Sequence, residues 1–269
     1  MLRPASFFAS LVLAFLASTG VFAQVSQLDQ IQIAPPMRQV QPPSPAATAE
    51  ELEKQGDELR GRKAYLDAID YFRAALKKSP NNPAILNKIG ISQLMLQRYK
   101  DAGKSFEQAI RADRSFPEPY NNLGVVHYER KKYRAAIKQY KKALDLSPNS
   151  ASFYSNLGAA YFASKKFEEA SEAYAQAVKL DPQIFDHTSH TGIAAQMASP
   201  EDRAHYDYVL AKLYAKIGDS DHSLQYLRKA MEDGYKEVNH VYTDPEFAEL
   251  RKDARFAELM KARPPAIPE

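Results

Sequence analysis

Residues 117–150 read PEPYNNLGVVHYERKKYRAAIKQYKKALDLSPNS, and residues 151–184 read ASFYSNLGAAYFASKKFEEASEAYAQAVKLDPQI. Placed one above the other they agree at Tyr120 and Tyr154, Leu123 and Leu157, Gly124 and Gly158, Ala136 and Ala170, Tyr140 and Tyr174, Ala143 and Ala177, and Pro148 and Pro182. The same 34-residue step continues upstream through Gly90 and Gly56, Ala102 and Ala68, Phe106 and Phe72, and Ala109 and Ala75. Tyr65, Tyr99, Tyr133 and Phe167 keep it as well. A fixed period of this length defines a solenoid, in which each unit stacks on its neighbours, rather than one folded-back core.

Within each unit the apolar residues fall at helical spacing on two successive segments, so a unit reads as a pair of amphipathic helices. Small residues allow the two helices to approach closely, and aromatic residues fill the space beside them. A proline near the end of a unit cannot continue a helix and forces the turn into the next. One pair cannot bury its own apolar face, so stacking supplies the core.

These landmarks resemble the tetratricopeptide repeat family, with units at 49–82, 83–116, 117–150 and 151–184. The family pattern places a large residue at position 4, Leu at 7, Gly or Ala at 8, an aromatic at 11, Ala at 20, an aromatic at 24, Ala at 27 and Pro at 32. Departures are Gln55 at position 7 of the first unit, Arg114 at the terminal Pro of the second, and Gln93 and His127 at position 11. The resemblance implies an all-α, right-handed α-solenoid with a C-terminal helical cap. Residues 203–234 read as a diverged fifth helix pair of less regular spacing, carrying Leu210, Ala211, Tyr214, Leu224, Leu227 and Ala230. Residues 185–202 read as an irregular linker. In residues 235–269 a helix is predicted to start at Asp244 and Pro245, a cap followed by proline, and to run through Phe247, Leu250 and Arg251. A last segment then carries Phe256, Leu259 and Met260, and together they would hide the final apolar face. The stretch from Leu227 to Met260 resembles the C-terminal segment of many exported bacterial tetratricopeptide proteins, which implies a bacterial origin.

Residues 1–23 read as a signal peptide. Arg3 precedes a short apolar run, and Val21, Phe22 and Ala23 form a cleavage site, which predicts an exported protein, periplasmic or secreted, beginning at Gln24. The alternative is an uncleaved membrane anchor. The chain has no cysteine, which excludes disulfides, thiolate metal sites and attachment of lipid to a cysteine. Residues 24–48 are rich in Pro and Gln and read as a disordered leader. The formal net charge of +3 gives no argument for a nucleic-acid partner.

No catalytic constellation stands out: GxSxG, P-loop and HExxH patterns are all absent. Asp186, His187 and His190 form the nearest approach to a metal set but lack a fourth ligand. The chain therefore reads as neither an enzyme nor a cofactor or metal binder. Two surfaces remain. The resemblance implies that positions 2, 5, 6, 9, 12 and 13 of each first helix line a concave wall. Its second unit offers Asn87, Ile91, Leu94 and Met95, its third Asn121, Asn122, Val125, Tyr128 and Glu129, and its fourth Ser155, Asn156, Ala159 and Phe162. Amides there can meet a peptide backbone while apolar side chains form pockets. The carboxylate clamp of the best-known family variant is not reproduced. From the second unit onward its positions hold Asn87, Ile91, Asn122, Ser152 and Asn156, of which only Asn122 fits. The second surface is the edge formed by the turns inside each unit. It carries Arg60, Arg62 and Lys63, then Arg98 and Lys100, then Arg130, Lys131, Lys132 and Arg134, and finally Lys165 and Lys166. The leading expectation is a protein-interaction scaffold of the bacterial envelope that takes a peptide or protein segment in the groove. The alternative is an accessory factor whose basic edge meets anionic lipid or glycan.

Overall fold

The first helix of each pair starts at a proline or a short polar side chain. In the computed structural model, which describes residues 40–185 and 199–264, Thr48 and Glu51 cap the first helix reciprocally. Asn82 Oδ1 accepts from the backbone N–H groups of Ala84 and Ile85, and Pro83 and Pro117 occupy the first helical turn, where their missing N–H costs nothing. The signal segment, residues 24–39 of the leader, and Asp186, His187 and His190 lie outside the described residues. The chain divides into Met1–Pro42 and Pro43–Glu269, and every helix described below belongs to the second of these units.

Eleven α-helices form among the described residues, with no strand. They pair as α1 (Ala49–Gly61) with α2 (Tyr65–Lys78), α3 (Pro83–Met95) with α4 (Tyr99–Ala112), α5 (Pro117–Glu129) with α6 (Tyr133–Leu146), and α7 (Ala151–Ala163) with α8 (Phe167–Leu180). A fifth pair, α9 (Pro200–Ile217) and α10 (Ser220–Glu232), comes next. Short 3₁₀ turns at Val238–Tyr242, Pro245–Phe247 and Leu250–Lys252 lead to α11 (Ala254–Ala262). Each of the first eight helices packs on the next, and the first helices α3, α5 and α7 also touch one another, so the pairs stack as an all-helical solenoid.

The 34-residue landmarks are the pieces of one lock, repeated four times. The alanines at positions 20 and 27 are fully buried in all four units. So are Phe72, Phe106, Tyr140 and Tyr174, whose ring edges lie against the glycine of the facing helix. A Cβ added at Gly56, Gly90 or Gly124 would stand 2.5 Å from the nearest ring carbon. Glycine is required there because no side chain fits beneath the ring.

The turn inside each unit closes in a Schellman-type motif. The backbone N–H of Ala64 donates to Leu59 O, that of Arg98 to Gln93 O, that of Lys132 to His127 O and that of Lys166 to Tyr161 O, at 2.8–3.0 Å. The motif needs a left-handed residue, a place where glycine is usual. Here Lys63, Gln97, Lys131 and Lys165 occupy it, at φ of 62°, 57°, 56° and 58°.

The fifth pair is more regular than its sequence suggests. Gly218 takes the left-handed position at φ 87° and Asp219 N–H donates to Tyr214 O. Leu210, Ala211, Leu227 and Ala230 are fully buried, and Ser223 Oγ donates to Ala211 O at 2.8 Å. These residues keep the register of the earlier units, with position 1 at Ala204. The helix predicted to run from Pro245 through Arg251 does not form. Asp244 is drawn away from capping duty: it accepts from Tyr208 Oη at 2.9 Å and pairs with Lys212 at 3.0 Å. Arg251 donates to the carbonyls of Val241 and Asp244, which holds the segment in tight turns. Phe247 and Leu250 are buried in the largest apolar cluster, which joins the fourth unit, the fifth pair and α11.

Candidate functional site

The concave positions of the first helices meet along a polar ladder. Position 5 of one unit bonds to position 6 of the next, 35 residues on. Glu53 accepts from Lys88 Nζ at 2.6 Å, Asn87 Oδ1 from Asn122 Nδ2 at 3.0 Å, and Asn121 Oδ1 from Asn156 Nδ2 at 3.0 Å. Asn121 Nδ2 also donates to Asn122 Oδ1 at 3.3 Å, which links the two amide rungs. Asp57 completes the first rung with a second 2.6 Å contact to Lys88. Burial of Lys88 disfavours its charge, but the hydrogen bonds it donates to Asp57 and Glu53 outweigh that and raise its pKa. The amides that the sequence offers to a ligand are thus largely spent on holding units together. Sequence reasoning missed the ladder itself; its signal is the 35-residue offset between Glu53 and Lys88, Asn87 and Asn122, and Asn121 and Asn156.

What remains open on this wall lies in the second and third units. Met95 is 44% exposed, and Ile91, Leu94, Asn122 and Val125 are half-buried. In the fourth unit the wall closes. Ser155, Asn156 and Ala159 are buried, and Phe162 is covered by α9 through edge contacts with His205 and Tyr206, with ring centroids at 5.5 and 5.7 Å. Tyr128 is also buried, tilted against Tyr133 at 5.4 Å. The two aromatic side chains still reach a cavity of about 430 Å³ where α9 begins, whose lining includes Glu129, Lys131, Lys165 and Asp202. Burial raises the pKa of Glu129 and lowers that of His205, so the imidazole favours its neutral form. His127 is a packed side chain: burial, then the charges of Lys132 and Arg130, lower its pKa.

The basic edge is continuous in kind. Arg98, Lys100, Arg130, Lys131, Lys132, Arg134, Lys165 and Lys166 are all exposed. Lys131, Lys132 and Arg134 line a shallow cavity of about 510 Å³ with Tyr133, Ala135 and Ser164. Lys166 pairs with Glu169 at 3.0 Å, an exposed contact of small energetic weight. No helix among the described residues is long and apolar enough to cross a membrane.

Four family profiles, described as TPR repeat or tetratricopeptide repeat, match residues 53–117, 126–165, 151–184 and 206–232. The chain is built from tetratricopeptide repeats. The last match falls on the fifth pair, in agreement with the register set by Ala211 and Gly218. Similar solved structures include MamA, at 23% identity over 71% of this chain and 94% of that one, with a TM-score of 0.49. TTC0263, a TPR protein of Thermus thermophilus, aligns at 22% identity over 73% and 97% with the same score. YrrB, described as a TPR protein with an unusual peptide-binding site, aligns at 18% over 73% and 92%, with a TM-score of 0.47. No curated protein matches the sequence.

Proposed function

We propose that the protein is a non-catalytic interaction scaffold that binds an apolar segment of another protein on the concave wall of its second and third units. One observation carries this reading. Ile91, Leu94, Met95 and Val125 form the part of the wall that is neither covered by α9 nor tied into the polar ladder, and the wall leads toward the pocket beside Tyr128 and Phe162. Solenoids present such concave strips to partners, and an apolar strip holds side chains of a bound segment, while Glu129, Lys131, Lys165 and Asp202 in the pocket can meet its polar groups. The N-terminal signal reading assigns this activity to the bacterial envelope, after export. The basic edge offers a second reading, contact with anionic lipid or glycan, favoured by the cavity among Lys131, Lys132 and Arg134.

Salt and substitution separate the two. Envelope proteins are captured on the chain from Gln24 onward, and on a Leu94→Glu, Met95→Glu variant whose helicity and melting are checked first. The groove reading expects a partner retained at about 0.5 M salt, where exposed charges are screened, and lost by the variant. Capture that ignores the variant but vanishes with salt, and is removed by Lys131→Glu, Lys132→Glu, would overturn it in favour of the edge.

A further inference from the structure

The stacking of the solenoid loosens at one junction. α8 and α9 pack far less extensively than α2 with α3, α4 with α5 or α6 with α7. Beside them lies a cleft of about 900 Å³, distinct from the concave strip of the second and third units. Its volume is that of a site for a sizeable ligand. Buried Leu157, Ala173, Val209 and Leu213 form apolar parts of its lining, and the rings of Tyr161, Phe167, Tyr208 and Tyr235 add aromatic surface. Tyr208 and Tyr235 stack at 4.3 Å and His205 lies 4.1 Å from Phe167, so these rings are braced against one another.

The charges of the lining are unequal. The lining holds five carboxylates, those of Glu168, Glu169, Glu172, Asp244 and Glu246, and the ammonium groups of Lys212 and Lys216; Glu169 is paired with Lys166 at 3.0 Å, while Glu168 and Glu172 are exposed. Lys212 is already committed to Asp244 at 3.0 Å and Glu246 at 3.5 Å. Cations of the chain itself already sit beside Tyr161: Lys141 donates a hydrogen bond to its hydroxyl, and the Lys166 ammonium lies 5.9 Å from the ring centre.

We infer that the cleft between α8 and α9 is a second binding site, and that its ligand is a cationic amphipathic helix of a partner protein. At the earlier junctions the space beside a second helix is filled by the first helix of the next unit. A partner helix here would lay apolar residues over the half-buried rings of Tyr161 and Phe167 and set Lys or Arg side chains against Glu168 and Glu172. This inference does not depend on the concave groove.

A fluorescent helical peptide of about 18 residues, with leucine on one face and lysine on the other, serves as the probe. A second peptide carries glutamate in place of lysine. Binding to the full chain is followed by anisotropy, against a Glu168→Lys, Glu172→Lys variant and the Leu94→Glu, Met95→Glu groove variant. Both pairs of positions include exposed residues, and circular dichroism verifies folding. The lysine peptide is expected to bind and to weaken at least about tenfold, or 1.4 kcal/mol, with Glu168→Lys, Glu172→Lys, while the groove variant binds as the parent does. Equal binding to parent and Glu168→Lys, Glu172→Lys, equal binding of the glutamate peptide, loss in the groove variant alone, or no binding at all would overturn the inference.

Discussion

Replacing Gly90 by alanine places a methyl group 2.5 Å from a carbon of the Phe106 ring, which is fully buried and has nowhere to withdraw. Gly61 is also helical, yet nothing lies within 4 Å of a Cβ built there. The same substitution should therefore have opposite signs at the two sites. Gly61→Ala should raise stability by about 0.5–1 kcal/mol, the helix-propensity gain. At Gly90 that gain is opposed by overpacking of about 1–3 kcal/mol, and net destabilisation is expected. Urea unfolding of both variants checks this, and a stabilised Gly90→Ala would refute the lock. The glycine–aromatic pairing was legible in sequence as a shared period, because only a lock repeated in register leaves so regular a trace. The lysines in left-handed backbone at residues 63, 131 and 165 were not legible, since the usual marker of that conformation is glycine and, among the turns inside the units, it stands only at Gly218.

Among the helices, α9 departs most from the pattern of its equivalents. Asp207 occupies position 4, where the other units place Leu52, Leu86, Tyr120 and Tyr154. Burial pushes its carboxyl up to about 7, and the repulsion of Asp233 adds to that; Lys229 and Arg203 act in the opposite direction. The folded state therefore binds this proton more tightly than the unfolded chain does. The penalty for ionising Asp207 is absent below pH ~4, grows between pH ~4 and 7, and is complete above that. Asp207→Asn should stabilise the protein at pH 8 by on the order of 2–4 kcal/mol, since each unit of pKa shift corresponds to about 1.4 kcal/mol. It should have little effect at pH 4. Melting of both proteins across this range is the check, and a gain that does not depend on pH would show that Asp207 is not held this way. Element positions in the first four units followed from periodicity. The C-terminal turns did not, because Asp244 and Pro245 form a sound helix-start signal that tertiary bonds to Tyr208 and Lys212 override.

Over the whole molecule, the ladder of the concave wall ties four units into one body, which explains why much of the predicted site is not free to meet a ligand. Residue types suited to recognition were legible along the chain, but hydrogen bonds between units make the same claim on them. Asn121→Ala removes the acceptor for Asn156 Nδ2, a buried contact. It should destabilise the solenoid by about 1–3 kcal/mol, the cost of leaving a buried donor unpaired. An Asn121→Leu, Asn156→Leu pair should cost less than the two single changes together, as interacting neighbours do; strict additivity in a double-mutant cycle would show that the rung contributes nothing. The rungs are also unlike one another. The first is ionic, carboxylates of the first unit against Lys88 of the second, and the later ones join amide to amide. Units that share a backbone and a core are therefore not interchangeable. Exchanging the second and third would set Glu53 and Asp57 against an asparagine and leave a lysine facing amides, so the chemistry of the rungs encodes the order in which the units stack.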